Sequence, residues 1–468
     1  MKVKAQLEKA YRMASLIKSL KQSSSLKLIT IIFITVTMLI PVSMVKDTIF
    51  ERSQLRYQAE SSISERWGSA QQISAPILAI PYKEKIVEDV TTQNGWLDPN
   101  NKQAAKKISY IDHMAYLLAD EVKINTKMHT ETRYLGIYDM PVYVSETSIR
   151  GSFSQKDFKK LDEQYPNINW QQAKLILPVE DVRGIRSISK LKFSQQKIDF
   201  TSPGYNLFCL QGLEAEVQLE DKIHKDIHFS FDFNLSGSQQ LNYLPLARTN
   251  HISLQSDWSS PSFIGSYLPT QRNITDSGFD ASWKILGLNR SYGQMWSDNT
   301  ISKEKITQSA FGMSLYQPAD VYQQNTRSVK YAALFIALTF MAFFLFEIFF
   351  GLNIHPMQYF FIGGSLSTFY LLLLAMSEHL HFSVAYLISS TAITILMSTY
   401  SMTILKQKFR GVIIGLVTAV IYGFLYFLIQ SEQNSLLFGA IGFFSALSTM
   451  MYLTRNIDWY NIKGTSIN

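Results

Sequence analysis

Apolar and polar positions are distributed unevenly along this chain. Uncharged runs cover residues 28–45, 331–346, 357–377, 382–405, 411–431 and 433–454. A hydrocarbon core of roughly 30 Å calls for about 20 helical residues. Each run therefore predicts a membrane-spanning helix, the second when extended to 329–350 and so across Glu347. One expected span lies near the N-terminus and five follow one another at the C-terminal end. After the first span, residues 46–74 hold no proline and are rich in Glu, Arg, Gln and Ala, which predicts a helical stalk ending near Gly68. From 75 to 328 the period changes to two. In IHFSFDFNLSG, Ile227, Phe229, Phe231, Phe233 and Leu235 alternate with His228, Ser230, Asp232 and Asn234, a strand with one buried and one wet face, with Gly237 just past its end. APILAIPY (75–82), IYDMPVYV, EVQLE (216–220) and SPSFIGSYLP read as further strands, and SQKDFKKLDEQY (154–165) as a helix among them. The turn-rich NGWLDPNNKQAAKK (94–107) reads as a loop. The expected fold class is an α+β membrane protein, with six transmembrane helices and a large β-rich domain inserted after the first.

Charge refines this picture. The 468 residues carry a net +7. The excess sits before the first span, where residues 1–27 hold seven Lys or Arg against Glu8 alone. Basic and acidic side chains balance between 28 and 330, so a nucleic-acid footprint, which needs a basic domain face, is not expected. Positive charge flanking a span marks the cytoplasmic side. That rule predicts cytoplasmic termini (1–27 and 455–468) and exported residues 46–328. It also places the KQKFR link (406–410) inside and the acidic links around SEH (377–379) and SEQNS (431–435) outside. The first run is long for a signal peptide and has no A-x-A site, so an uncleaved anchor is expected. Cys209 is the lone cysteine, and no intramolecular disulfide can staple the exported domain.

Candidate chemistry is sparse. No phosphate loop, H-E-x-x-H zinc helix or G-x-S-x-G elbow is present, so no catalytic residue, metal or cofactor is expected. In EHLH (378–381), Glu378, His379 and His381 are ligand types. Two histidines at i and i+2 diverge on a helix, however, and the segment reads as a polar cap. Glu347 lies near the end of its span and His355 precedes Pro356, so the pair is expected to mark the two sides of a tight helical hairpin. A buried carboxylate is also a suspect for proton relay. GG at 363–364 and the G-x-x-x-G of 411–415 permit close helix packing, within the chain or with a partner.

Several stretches together resemble the CreD family: DVYQQNTRSVKYAALFIALTFMAFFLFE (320–347), HPMQY (355–359), YLLLLAMSEH (370–379) and TRNIDWY (454–460), which carries Arg455 and Asp458. In the exported region LGIYDMPVY (135–143), DVRGI (181–185) and SPSFIGSYLPTQRNITDSGFDASW (260–283) are similar to the family's pattern. The basic head and the 94–107 segment depart from it. The resemblance implies a Gram-negative inner-membrane protein associated with envelope integrity, a two-component sensory system, and altered tolerance to colicins and β-lactams. It implies no active site.

Two functional classes fit these observations. The first is a non-enzymatic envelope protein whose periplasmic domain recognises an envelope component or membrane partner, while the helix bundle anchors it or relays its state. The second is an enzyme or transporter of a lipid or lipid-linked substrate, working through the helix-end residues Glu347, His355, Glu378, His379, Arg455 and Asp458.

Overall fold

The computed structural model describes residues 24–89, 106–165, 167–202, 211–219, 223–298, 303–315, 321–431 and 434–456. Asp458, Cys209, and the 94–107 segment apart from its last two residues lie outside that set. The chain divides into two compact units, residues 1–57 with 319–468, and residues 58–318.

Helices in chain order are α1 (Ser24–Trp67), α2 (Gln155–Gln164), α3 (Lys303–Thr307), α4 (Val321–Lys330), α5 (Ala332–Phe349), α6 (Pro356–Ser377), α7 (Phe382–Ile404), α8 (Lys408–Gln430) and α9 (Ser435–Thr454). Among the described residues six helices, α1 and α5–α9, are long and apolar enough to cross a membrane. The expected second span of 329–350 is divided. Tyr331 separates α4 from α5, and α4 belongs with the helices instead of the β-rich domain to which 321–328 were assigned.

α1 continues through Pro41, which lacks an N–H. Its buried side is the stripe Ile31, Ile34, Met38, Val42, Val45 and Ile49, spaced by three and four so that one face meets the other helices. A Cβ added at Gly363 of α6 would lie 2.6 Å from Met38 Cγ and 2.8 Å from Phe340 Cζ, so only glycine lets α1, α5 and α6 meet there. The 411–415 glycines are occupied inside the chain. Gly411 faces Met402 and Gly415 faces Ser398, whose Oγ donates to the Gly411 carbonyl at 3.1 Å. Lipid provides no hydrophobic drive between helices, so such close backbone approach is what holds α7 and α8 together.

The second unit holds seventeen described strands: β1 (Gln71–Ser74), β2 (Ile77–Asp89), β3 (Lys106–Leu135), β4 (Tyr138–Phe153), β5 (Lys174–Val179), β6 (Ile185–Ile188), β7 (Leu191–Phe193), β8 (Gln196–Ile198), β9 (Gln211–Glu216), β10 (Ile227–Ser238), β11 (Gln240–Leu244), β12 (Ala247–Ser256), β13 (Pro261–Gly265), β14 (Gln271–Thr275), β15 (Gly278–Leu286), β16 (Met295–Ser297) and β17 (Phe311–Leu315). The larger sheet runs β14-β15-β12-β3-β4-β10-β7-β8. β3 serves it twice, pairing β2 through Leu118 and β4 from Glu121 onward. A smaller sheet runs β1-β11-β17-β13. Phe229, Phe231, Phe233, Tyr143, Trp283 and Phe311 are among the buried core. β10 continues through Gly237, where a Cβ would lie 2.4 Å from the Tyr143 hydroxyl, so the strand runs on past the point expected to end it. The strand expected at 216–220 lies earlier, as β9, although Val217 and Leu219 are still buried.

The stalk ends one residue before Gly68, whose φ of 134° favours glycine. Residues 71–74, expected as the last part of that stalk, form β1 instead. The terminal Trp67 ring lies between the Arg133 and Arg186 guanidinium groups, 4.3 and 4.5 Å from its centroid. Its Nε1 donates to the Tyr143 carbonyl, and its own carbonyl accepts from Ser236 Oγ at 2.7 Å. Beyond it, buried Asp181 accepts from the N–H and hydroxyl of Ser69 and from the Arg183 N–H and guanidinium. Burial pushes this carboxyl up, but the Arg183 and Ser69 donors outweigh it and bring it down to about 2.

Two outcomes follow. Gly363→Leu is expected to cost about 1–3 kcal/mol through overpacking and to lower the unfolding temperature in detergent. Gly364→Leu, with nothing within 4 Å of its added Cβ, should leave that temperature unchanged. Because the folded Asp181 value is depressed, its stabilisation is complete above the unfolded value near 3.9 and is lost as pH falls toward about 2. Asp181→Asn should flatten the stability curve between those limits, read by thermal melts across that pH range.

Candidate functional site

Glu347 occupies the last turn of α5, where the helix dipole disfavours negative charge. It is nevertheless only 5% exposed. Lys27 Nζ from α1 donates to Oε1 at 2.5 Å and to Asn353 Oδ1 at 3.0 Å. The Ile354 N–H reaches Oε1 at 3.3 Å, and the Tyr359 hydroxyl of α6 donates to Oε2 at 3.0 Å. Gly351, at φ 61°, turns the chain back so that Ile354 can face the carboxylate. His355 begins α6: its Nδ1 accepts from the Met357 N–H, its own N–H donates to Gln358 Oε1, and Pro356 occupies the first helical position. The hairpin is therefore as expected, but its two marker residues do different things. His355 caps a helix, while Glu347 ties three helices together.

A second polar group lies at the other end of α6. Glu378 caps that helix with its side chain 11% exposed. Its Oε1 accepts from the Tyr322 hydroxyl of α4 at 3.2 Å and lies 3.6 Å from Arg52 Nε of α1. Beside it, Asn325 Nδ2 donates to the Val321 carbonyl and to Ser377 Oγ, and Ser328 Oγ donates to the Asn325 carbonyl. Ser328 and Asn325 are buried, which explains why a polar helix such as α4 packs among apolar ones. His379 is exposed in the turn and donates only its backbone N–H, to Met376. The Arg455 guanidinium stacks 4.1 Å from the Tyr452 ring centroid.

Glu347 and Glu378 therefore do not form one centre. Lys27 and Arg52 are separated by about 37 Å of helical rise, close to the thickness of a bilayer with its headgroups. Between the two ends the buried residues of α5 and α6 are apolar apart from Thr339, Ser367 and Tyr370, and the Thr339 and Ser367 hydroxyls bond to their own helix backbones. Neither α5 before Glu347 nor α6 before Glu378 carries a carboxylate or an imidazole. A 570 Å³ cleft between α7 and α8 is edged by Ser383, Tyr386, Ser390, Tyr422 and Tyr426, with no carboxylate or imidazole. No three His, Cys, Asp or Glu among the described residues converge as a metal ion requires. What the arrangement does is fasten α1: an ion pair at each end and an apolar stripe between. Sequence reasoning missed Lys27, Arg52, Tyr322 and Tyr359, because each partner lies on a different helix. The signal for Lys27 was its placement just outside the apolar run of α1, whereas Arg52 lies seven residues beyond that run and carries no such mark.

The pattern that defines the inner membrane protein CreD family matches residues 23–460. The chain belongs to the CreD family. Inner membrane protein CreD of Escherichia coli (strain K12) is 33% identical over 425 residues, covering 90% of this chain and 91% of that one. A multi-pass inner-membrane location follows from CreD membership together with the six apolar helices. Among solved structures, an M1 zinc metallopeptidase from Deinococcus radiodurans superposes with a TM-score of 0.20 at 9% identity, covering 36% of this chain and 39% of that one. A likeness of that extent carries no argument.

Glu347 is the stronger fastening. Lys27→Met should leave its carboxylate buried without a cation and cost about 3 kcal/mol. The double variant Lys27→Met with Glu347→Gln should recover most of that loss. A double-mutant cycle on detergent-solubilised unfolding measures the coupling, and additive single effects would show that the pair does not fasten α1.

Proposed function

We propose that this CreD-family protein is a non-enzymatic component of envelope maintenance. Its β-rich unit lies on the periplasmic side and recognises an envelope component or a membrane partner. The helices anchor that unit and relay its state. The observation that carries this reading is α1, an unbroken 44-residue helix. Lys27 near its start and Arg52 further along fasten it to the other helices, and in its last turn Trp67 packs against two arginines. A helix held at both ends transmits a displacement better than a flexible linker does. The basic residues before α1 support cytoplasmic termini.

The polar helix-end residues favour this reading over a lipid enzyme or transporter. Glu347 and Glu378 accept from tyrosine hydroxyls and face cations, and His355 caps a helix.

Complementation of a strain lacking the gene, scored as survival under detergent or β-lactam stress, tests the reading at matched membrane abundance. Glu378→Gln and His379→Ala are expected to rescue. Replacement of residues 71–315 by a short linker should not. Gln58→Pro, which breaks α1 between its two fastenings, should also fail if the helix relays and should rescue if it only anchors. Rescue by the linker variant, or failure of His379→Ala, would overturn the proposal.

A further inference from the structure

The registers of the larger sheet bring together residues far apart in sequence. Lys284 of β15 pairs with His251 of β12, and His251 pairs with Lys123 of β3. Lys123 pairs with Arg150 of β4, and Arg150 with Ser230 of β10. Ser230 pairs with Lys192 of β7, and Lys192 with Lys197 of β8. Residues paired across strands point to the same face. A single row of five Lys or Arg and one His therefore crosses seven adjacent strands, roughly 29 Å at the usual strand spacing. The five cationic side chains are exposed, and the alternate positions of the same strands, such as Ile252, Ile124, Ile149, Phe231 and Phe193, are buried.

This row is unfavourable for folding alone. Like charges directly opposite one another destabilise a sheet, and neighbours within a Debye length of about 8 Å are poorly screened. Lys123 has Glu121 at 3.4 Å, but Arg150, Lys192, Lys197 and Lys284 have no ion-pair partner among the described residues. The excess is local, because residues 28–330 balance overall. The next row on the same face is polar and nearly uncharged: Ser282, Ser253, Asn125, Ser148 and Asp232. Two hollows lie along this face. One of 480 Å³ is bounded by Lys123, Arg150, Lys192, Ser194 and His228, and one of 400 Å³ by Asn125, Ser253, Gln271 and Asp280.

We infer that this ladder binds a linear glycan bearing carboxylate or phosphate groups. The cations meet its charges, and the flanking hydroxyls and amides meet its sugar hydroxyls. The inference deepens the proposed recognition role of the β-rich unit and rests on it. A membrane-docking face would set apolar side chains beside its cations, and this one sets serine and asparagine there. A single-strand nucleic-acid surface would interleave Phe, Tyr or Trp for stacking, and neither row contains one, His251 being its single ring.

The test uses the full chain in zwitterionic nanodiscs, with decagalacturonate as the acidic probe and maltodecaose as the neutral one. Decagalacturonate should bind and maltodecaose should not. The triple variant Lys123→Gln, Arg150→Gln, Lys192→Gln should weaken binding at least about tenfold by losing charge complementarity, without lowering the unfolding temperature. Lys197→Gln on the edge strand β8 should weaken it less, and Lys159→Gln, an exposed lysine of α2 outside the sheet, not at all. Equal binding of the two probes, unchanged affinity in the triple variant, or preference for phosphatidylglycerol vesicles over decagalacturonate would each overturn the ladder. Rescue by the triple variant in the complementation assay, with the 71–315 replacement still inactive, would refute the ladder and leave the recognition role standing.

Discussion

A carboxylate buried at the end of a membrane helix is costly to leave without a partner. Glu347 meets that constraint through Lys27, and much of the helix unit follows from it. The pair fixes which end of α1 lies against the α5–α6 turn. The 3–4 spacing of Ile31 through Ile49 then fixes which face of α1 turns inward, and Gly363 fixes how closely it approaches. Arg52 and Glu378 repeat the fastening at the far end, with weaker geometry and a more exposed cation.

The same logic separates the candidate residues into different duties. Glu347 and Glu378 hold helices together, and His355 starts one. Ser377, Asn325 and Ser328 form a small polar core that lets α4 lie among the helices although its own sequence is largely hydrophilic. In the β-rich unit, two guanidinium groups over the Trp67 ring, and the serines that donate around Gly68, hold a helix terminus whose carbonyls would otherwise lack partners.

Much of this was legible in the sequence because it is local or periodic. Uncharged length identified the six apolar helices, alternation identified β10, and the step before Pro356 identified the hairpin. What was not legible is set by distant partners. Nothing near Tyr331 in sequence announces the break between α4 and α5, and Gly237 reads as a strand end until Tyr143 is placed over it. The partners of Glu347 and Glu378 lie on other helices. The cationic row is the extreme case, since its members come from six strands and acquire a common face only through register.

The Lys27–Glu347 fastening joins residues 320 positions apart. At ribosomal rates of about 5–20 residues per second, α1 enters the bilayer roughly 15–60 seconds before its counter-ion exists. In that interval its inward stripe faces lipid, which an apolar stripe tolerates, and Lys27, just outside the apolar run, can remain in the headgroup layer. The β-rich unit is synthesised entirely within the same interval. Its long-range strand pairing is thus given time to form while the chain is still tethered by one helix alone, and the arrival of Glu347 makes the first fastening of α1, with α6–α9 and Glu378 still to follow.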